Sequence, residues 1–393
     1  MNRPPRFLGS TARAGMMATF GALPLFLLGA QSVAISHDLG LGPADLGLAT
    51  GTFFAAGAAA TLLMARVVDR LPLRATAIAA GTFAGSAGLG VAVGGRSLFT
   101  LLAFLATAGV GNAALQLTAN LAVARSVAKE RQGLAYGIKQ SANPLAALLA
   151  GAMGAAALHV GGWRVTYIVS GLMSLVVALS ALRVARSVRG ASAAPAEPDR
   201  PPRSALVVSG VATALASSSA VSVAAFLPAW AFDSGMSPAG AGLLLASAGA
   251  ASLVARLSVG WMADHRPDGH LTTVRWLLLI GAVGFVGLAY PHLVTIVLGG
   301  FVALAFGWGW PGLLIYAVVR LGRDVPGEAS SAIQTGAFVG GAIGPPAFGL
   351  VVEGAQFSVA WMCAGVVALI AAALVTWARN LFARDLAARV PVV

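Results

Sequence analysis

Long apolar blocks separated by short polar connectors run the length of the chain. Twelve blocks reach or approach the roughly 20 residues a helix needs to cross a bilayer. They lie at 14–36, 45–66, 73–94, 97–124, 132–158, 163–186, 205–232, 239–263, 272–290, 292–319, 328–352 and 357–380. The pattern predicts an all-α integral membrane protein with twelve transmembrane helices. Arg3, Arg6 and Arg13 precede the first block as they would in a secretory signal. The apolar run is too long for a signal core and more spans follow, so it reads as a first helix.

One composition break interrupts this rhythm. Residues 187–203 are rich in Pro, Ala and charge, which predicts a flexible linker. The expected organisation is a six-helix bundle over 1–186, a linker over 187–203 and a second six-helix bundle over 204–393. An internal repeat supports the division. At an ungapped offset of 195 residues, Asp38 falls on Asp233, Gly40 on Gly235, Pro43 on Pro238 and Gly47 on Gly242. The same register places Asp69 on Asp264, Arg125 on Arg320, Ile138 on Ile333 and Ala142 on Ala337. Parallel six-helix repeats place a binding site near the midplane, between the halves.

Composition narrows the class. Apolar residues make up 58% of the chain and charged residues 10%, against about 25% charged in soluble domains. The net charge of +12 would point to nucleic acid in a soluble protein, but here it sits in short clusters between apolar blocks. No nucleic-acid partner is expected. Of the 25 basic residues, all but Arg96, Arg164 and Lys139 fall on the face carrying both termini, counting Arg256 with that face although it lies well inside a span. Excess Arg and Lys marks cytoplasmic loops, so both termini are expected in the cytoplasm. The scarcity of Lys beside abundant Ala, Gly, Val and Arg suggests a high-GC bacterium, and with it the cytoplasmic membrane.

The lone Cys363 and five scattered histidines offer no metal site or disulfide, and no cofactor is expected. No phosphate-binding loop for ATP is present and no connector could hold a catalytic domain, so an enzyme is not expected. A monomer is expected.

The loop after the second block reads Ala65-Arg66-Val67-Val68-Asp69-Arg70-Leu71-Pro72-Leu73-Arg74. It resembles the Gly-x-x-x-Asp-Arg-x-Gly-Arg-Arg loop of the major facilitator superfamily, keeping Asp69, Arg70 and Arg74. A second copy, Gly260-Trp261-Met262-Ala263-Asp264-His265-Arg266, stands at the repeat offset. The resemblance covers essentially the whole chain. It implies a transporter with two pseudo-symmetric bundles, in which Asp69, Arg70, Arg74, Asp264 and Arg266 form a cytoplasmic gate. Charge-assisted bonds there would form in one conformation and break in the other. The arginines also serve as topology anchors.

Two cations remain inside spans. Lys139 lies about 10 Å from one end of the fifth span, and Arg256 about 12 Å inside Asp264, at 1.5 Å per residue. A charge at such depth costs at least about 2.5 kcal/mol unless it faces a polar interior; snorkelling to the headgroups is the alternative. All 13 acids lie at or beyond span ends. A cavity holding cations without anions favours an anionic ligand. The eighth span, Ala255-Arg256-Leu257-Ser258-Val259-Gly260-Trp261, is similar to that of monocarboxylate and oxalate–formate porters, where the Arg binds carboxylate. Monocarboxylate carriers place an Asp four residues earlier, and here that position is Ser252. The fifth span, with Lys139-Gln140-Ser141 before Asn143-Pro144, is closer to cyanate-type permeases.

Asn112, Gln116 and Asn120 share one helix face, which must turn inward in lipid. Trp308, Trp310 and Tyr316 surround Pro311 well away from either interface, and Gln334 falls opposite Lys139 in the repeat. Gln31 is a further candidate. The expected substrate-binding set is therefore Lys139, Arg256, Gln334, Asn112, Gln116, Asn120, Gln31, Trp308, Trp310 and Tyr316. The leading expectation is a secondary transporter of a small anion working by alternating access. Proton-coupled multidrug efflux and a non-transporting receptor are the alternatives, in that order.

Overall fold

A computed structural model describes residues 6–64, 73–126, 132–180, 199–266, 268–322, 324 and 326–388. Its helices are α1 (Arg6–Ala30), α2 (Ser32–Leu39), α3 (Pro43–Met64), α4 (Leu73–Gly94), α5 (Leu98–Ser126), α6 (Gln132–Gln140), α7 (Ala142–Val160) and α8 (Trp163–Ser180) in the first half. The second half contains α9 (Arg203–Asp233), α10 (Pro238–His265), α11 (His270–Leu288), α12 (Leu293–Val302), α13 (Pro311–Leu321), α14 (Pro326–Gly354) and α15 (Phe357–Ala387). A π-helical turn, Ala303–Gly307, joins α12 to α13. Ten of these segments, the broken α12–α13 run counted as one, are long and apolar enough to span a membrane; α1 and α2, bent by 68° at Gln31, make an eleventh. The twelfth is the fifth-span run, divided at Ser141 between α6 and α7. Twelve spans in two sets of six match the predicted fold class.

The repeat governs the whole architecture. At the same offset, α3 and α10 begin on Pro43 and Pro238, and α5 (Leu98–Ser126) coincides end to end with Leu293–Leu321. Gly40 and Gly235 both close the preceding helix with positive φ, 67° and 96°. A left-handed residue after a helix favours glycine, which has no Cβ to clash. Each copy also ties down a backbone N–H beside the first turn of the next helix, by different means. Asp45 Oδ2 accepts from Gly42 N at 3.0 Å, whereas Ser237 Oγ accepts from Gly240 N at 3.1 Å.

Prolines inside spans free carbonyls four residues earlier, and in lipid each needs another donor. Side chains of neighbouring helices supply donors at Pro24 and Pro144. Ser174 Oγ donates to Phe20 O at 3.3 Å, the carbonyl left by Pro24. Within the break of the tenth span, where Pro311 opens α13, Trp310 Nε1 donates to Gly307 O at 2.8 Å. Arg256 Nη1 donates to Gln140 O, the carbonyl left by Pro144.

The halves meet along α3–α14, α7–α10 and α1–α9. Toward the face opposite the termini this contact is backbone-close: a Cβ on Gly47 would strike Pro345 O, and one on Gly151 would strike Gly242 O. Glu353 at the end of α14 accepts from Ala44 N at 3.1 Å, linking the halves at that face. Asp69, Arg70 and residues 187–198 of the predicted linker lie outside the described residues.

Candidate functional site

A small cavity of about 70 Å³ lies between the halves. Its polar groups are Asn112 and Gln116 on α5, Gln140 on α6, Asn143 on α7, Thr213 and Ser217 on α9, and Gln334 on α14. Phe26, Phe53, Phe54, Trp308, Trp310 and Phe338 supply the aromatic lining. Asn112 and Gln116 are one helical turn apart, so α5 presents both amides to the same space. Both are buried, and Asn112 Oδ1 and Gln116 Oε1 have no hydrogen-bond partner.

Lys139 and Arg256 lie immediately behind this wall rather than on it. Both are fully buried, 1% and 2% exposed. They come from opposite halves and converge on Gln140: Lys139 Nζ is 3.5 Å from its side-chain oxygen, and Arg256 donates to its carbonyl. The Arg256 guanidinium also sits 5.4 Å from the centre of the Trp308 ring. That ring stacks on Phe26 of the other half at 5.6 Å. Gln140 and Trp308 thus separate the cations from the cavity by a single layer of side chains. Arg256 Nε and Nη2 are buried without partners. A guanidinium in low dielectric that uses one of its three nitrogens holds a strong unspent affinity for an acceptor.

Trp310 caps α13, with Pro311 at its first position and its indole N–H held by Gly307 O, so its ring is fixed at the helix break. The remaining sequence candidates lie elsewhere. Gln31 is not in the cavity lining: at the 68° bend its Nε2 donates to Thr166 Oγ1 at 2.7 Å, so this amide ties α1 to α8. Tyr316 is likewise outside the lining; its hydroxyl accepts from Arg320 Nη1 at 3.0 Å, and its ring meets His270 edge-on at 5.2 Å. The Asn120 side chain falls outside the described residues. Of the gate set, Arg74 is half-buried at the start of α4, Asp264 is half-buried in the last turn of α10, and Arg266 follows that helix, exposed. Phe26 and Phe338, absent from the sequence set, are repeat partners of Val221 and Asn143, which line the same cavity.

The family model of the Major Facilitator Superfamily matches residues 7–265 and 206–388. The chain belongs to the Major Facilitator Superfamily. Its members are membrane transporters, not enzymes. Two solved structures share the facilitator fold with it. A bacterial homologue of the human lysosomal transporter Spinster, inward-facing and occupied, superposes with a TM-score of 0.76 at 16% identity, covering 98% of this chain and 99% of that one. Its inward-facing and unoccupied form gives 0.70 at 15% identity over the same shares. At such identity the likeness speaks for the fold. No curated protein matches the sequence.

Proposed function

We propose that this facilitator carries a small anionic solute across the membrane by alternating access of the central cavity. The observation that carries the reading is Arg256: a buried guanidinium, one side-chain layer from the cavity, with Nε and Nη2 unpaired. Lys139 adds a second buried cation on the same glutamine, and none of the cavity-lining residues is a carboxylate. Movement of Trp308 and Gln140 would open the cations to a ligand, which supplies the missing acceptors. Asn112, Gln116 and Gln334 would then choose among anions by hydrogen bonding. In this reading Asp69, Arg70, Arg74, Asp264 and Arg266 bias the gate, the two bundles divide near 187–203, and both termini face the cytoplasm of a bacterial cell.

The test is counterflow in proteoliposomes with a panel of formate, oxalate, lactate, cyanate and nitrate. Wild type is expected to exchange at least one of them, with Arg256→Gln and Lys139→Gln reduced at least about tenfold, a change of 1.4 kcal/mol. Exchange unchanged in both variants would overturn the assignment.

The six aromatic rings around the cavity favour one second reading, export of amphipathic cations. It predicts drug resistance on overexpression that depends on the proton gradient and is indifferent to Arg256→Gln.

A further inference from the structure

A second pocket, of about 320 Å³, opens on the terminal face away from the central cavity. It is lined by His270, Leu271 and Thr272 at the start of α11, by Arg320 near the end of α13, and by Arg379 and Leu386 on α15. We propose that it is a binding site for a phosphodiester monoanion, supplied by the headgroup of an anionic phospholipid.

The chemistry converges from independent sources. Arg379 Nη1 donates to Thr272 Oγ1 at 2.9 Å and Arg320 Nη1 to Tyr316 at 3.0 Å, so each fork is anchored by one nitrogen and keeps further donors. His270 contributes a buried Nε2 with no partner. The first backbone N–H groups of α11 follow Gly269, held at φ 85° with no side-chain cap, and a helix N-terminus of this kind draws an anionic oxygen. Asp268 is the one acid in the lining. With two arginines, the charged side chains of the lining sum to +1, matched to one phosphodiester charge rather than to a dianion. Most of this cluster is peculiar to the second half: Arg320 falls on Arg125 in the repeat, but the partners of His270, Thr272 and Arg379 are Ala75, Ala77 and Val184.

The position selects lipid over a soluble phosphate. Among the described residues α11 packs on α12, α13, α15 and the π-turn, and α15 on α9, α11 and α14, all within the second half. Trp276 on α11 and Trp377 on α15 are 53% and 54% exposed on the same pair of helices. Exposed tryptophans mark the headgroup level. A basic pocket between helices at that depth fits an anionic headgroup, with its acyl chains against the lipid-facing sides of α11 and α15.

The experiment compares purified full-length protein given dioleoyl-phosphatidylglycerol, dioleoyl-phosphatidylcholine, glycerol phosphate or inorganic phosphate. Native mass spectrometry reads retained lipid, and thermal unfolding reads stabilisation. Wild type is expected to retain phosphatidylglycerol and to gain several degrees in Tm from it, with no gain from phosphatidylcholine. Arg379→Gln and Arg320→Gln should each retain at least fivefold less, and Arg379→Lys should restore retention. The Tm of each variant in phosphatidylcholine reports its folding. Equal retention by wild type and folded Arg379→Gln would overturn the site. Equal stabilisation by glycerol phosphate or inorganic phosphate would overturn the lipid assignment.

Discussion

The fourth and tenth spans occupy equivalent places in the two halves and are built differently. Leu98–Ser126 is one unbroken helix, α5, which turns Asn112 and Gln116 into the cavity. Its repeat partner, Leu293–Leu321, is α12, a π-turn, a non-helical stretch at Trp308–Trp310, and α13. Asn112 corresponds to Gly307 and Gln116 to Pro311, so the amides on one side are exchanged for helix-breaking residues on the other. A π-turn and a break at mid-span are tolerated where protein, not lipid, surrounds them. Here they place Trp308 over Arg256, whose own repeat partner is Thr61, bonded back to its own helix at Gly57 O. The shared register builds the scaffold, and the departures from it supply the chemistry.

Four substitutions probe that contrast. Trp308→Ala removes the ring stacked on Phe26 and is expected to cost about 3–5 kcal/mol of stability; thermal unfolding checks it, and a loss below about 1 kcal/mol would show that the broken segment is not held by this stack. Arg256→Gln keeps a donor for Gln140 O but removes an incompletely paired buried charge. Unfolding in detergent is expected to show unchanged or higher stability, by on the order of 1–3 kcal/mol, while transport falls. A marked drop in stability would make Arg256 a structural brace for the carbonyl freed by Pro144. Gln116→Leu deletes an unpaired buried oxygen from the regular helix and should stabilise by about 1 kcal/mol while weakening anion binding. Gln31→Leu should do the opposite. Losing the bond to Thr166 costs about 1 kcal/mol, and anion affinity measured by calorimetry should not change.

Much of this was readable from the chain, because the governing periods are strong. Span lengths follow from the bilayer, and the ungapped offset pairs the starts of α3, α4, α5, α6 and α8 with those of α10, α11, α12, α14 and α15 to within two residues. The depth of Lys139 and Arg256 marked them as internal, and Pro144 marks Gln140 O as the carbonyl in need of a donor. The sequence placed both cations in the cavity wall; the structure sets them one layer behind it, because that carbonyl and the Trp308 ring draw Arg256 aside. Gln31 and Tyr316 were misplaced for a related reason. An inward-facing polar residue is satisfied by whichever neighbour lies near, and pattern alone could not show Thr166 beside Gln31 or Arg320 beside Tyr316. Phe26, Phe53, Phe54 and Phe338 carried no signal of their own among 17 phenylalanines. The repeat offset pairs Phe26 with Val221 and Phe338 with Asn143, neither of them a sequence candidate, so the offset alone leads to neither ring.

The most direct test of an anion site at Arg256 is thermal-shift screening of the purified protein against small anions and cationic amphiphiles, beside Arg256→Gln. A ligand at 100 times its Kd stabilises by about 2.7 kcal/mol, well within detection. The account predicts stabilisation by at least one small anion, absent in Arg256→Gln. Stabilisation by cationic amphiphiles alone, equal in both proteins, would contradict it.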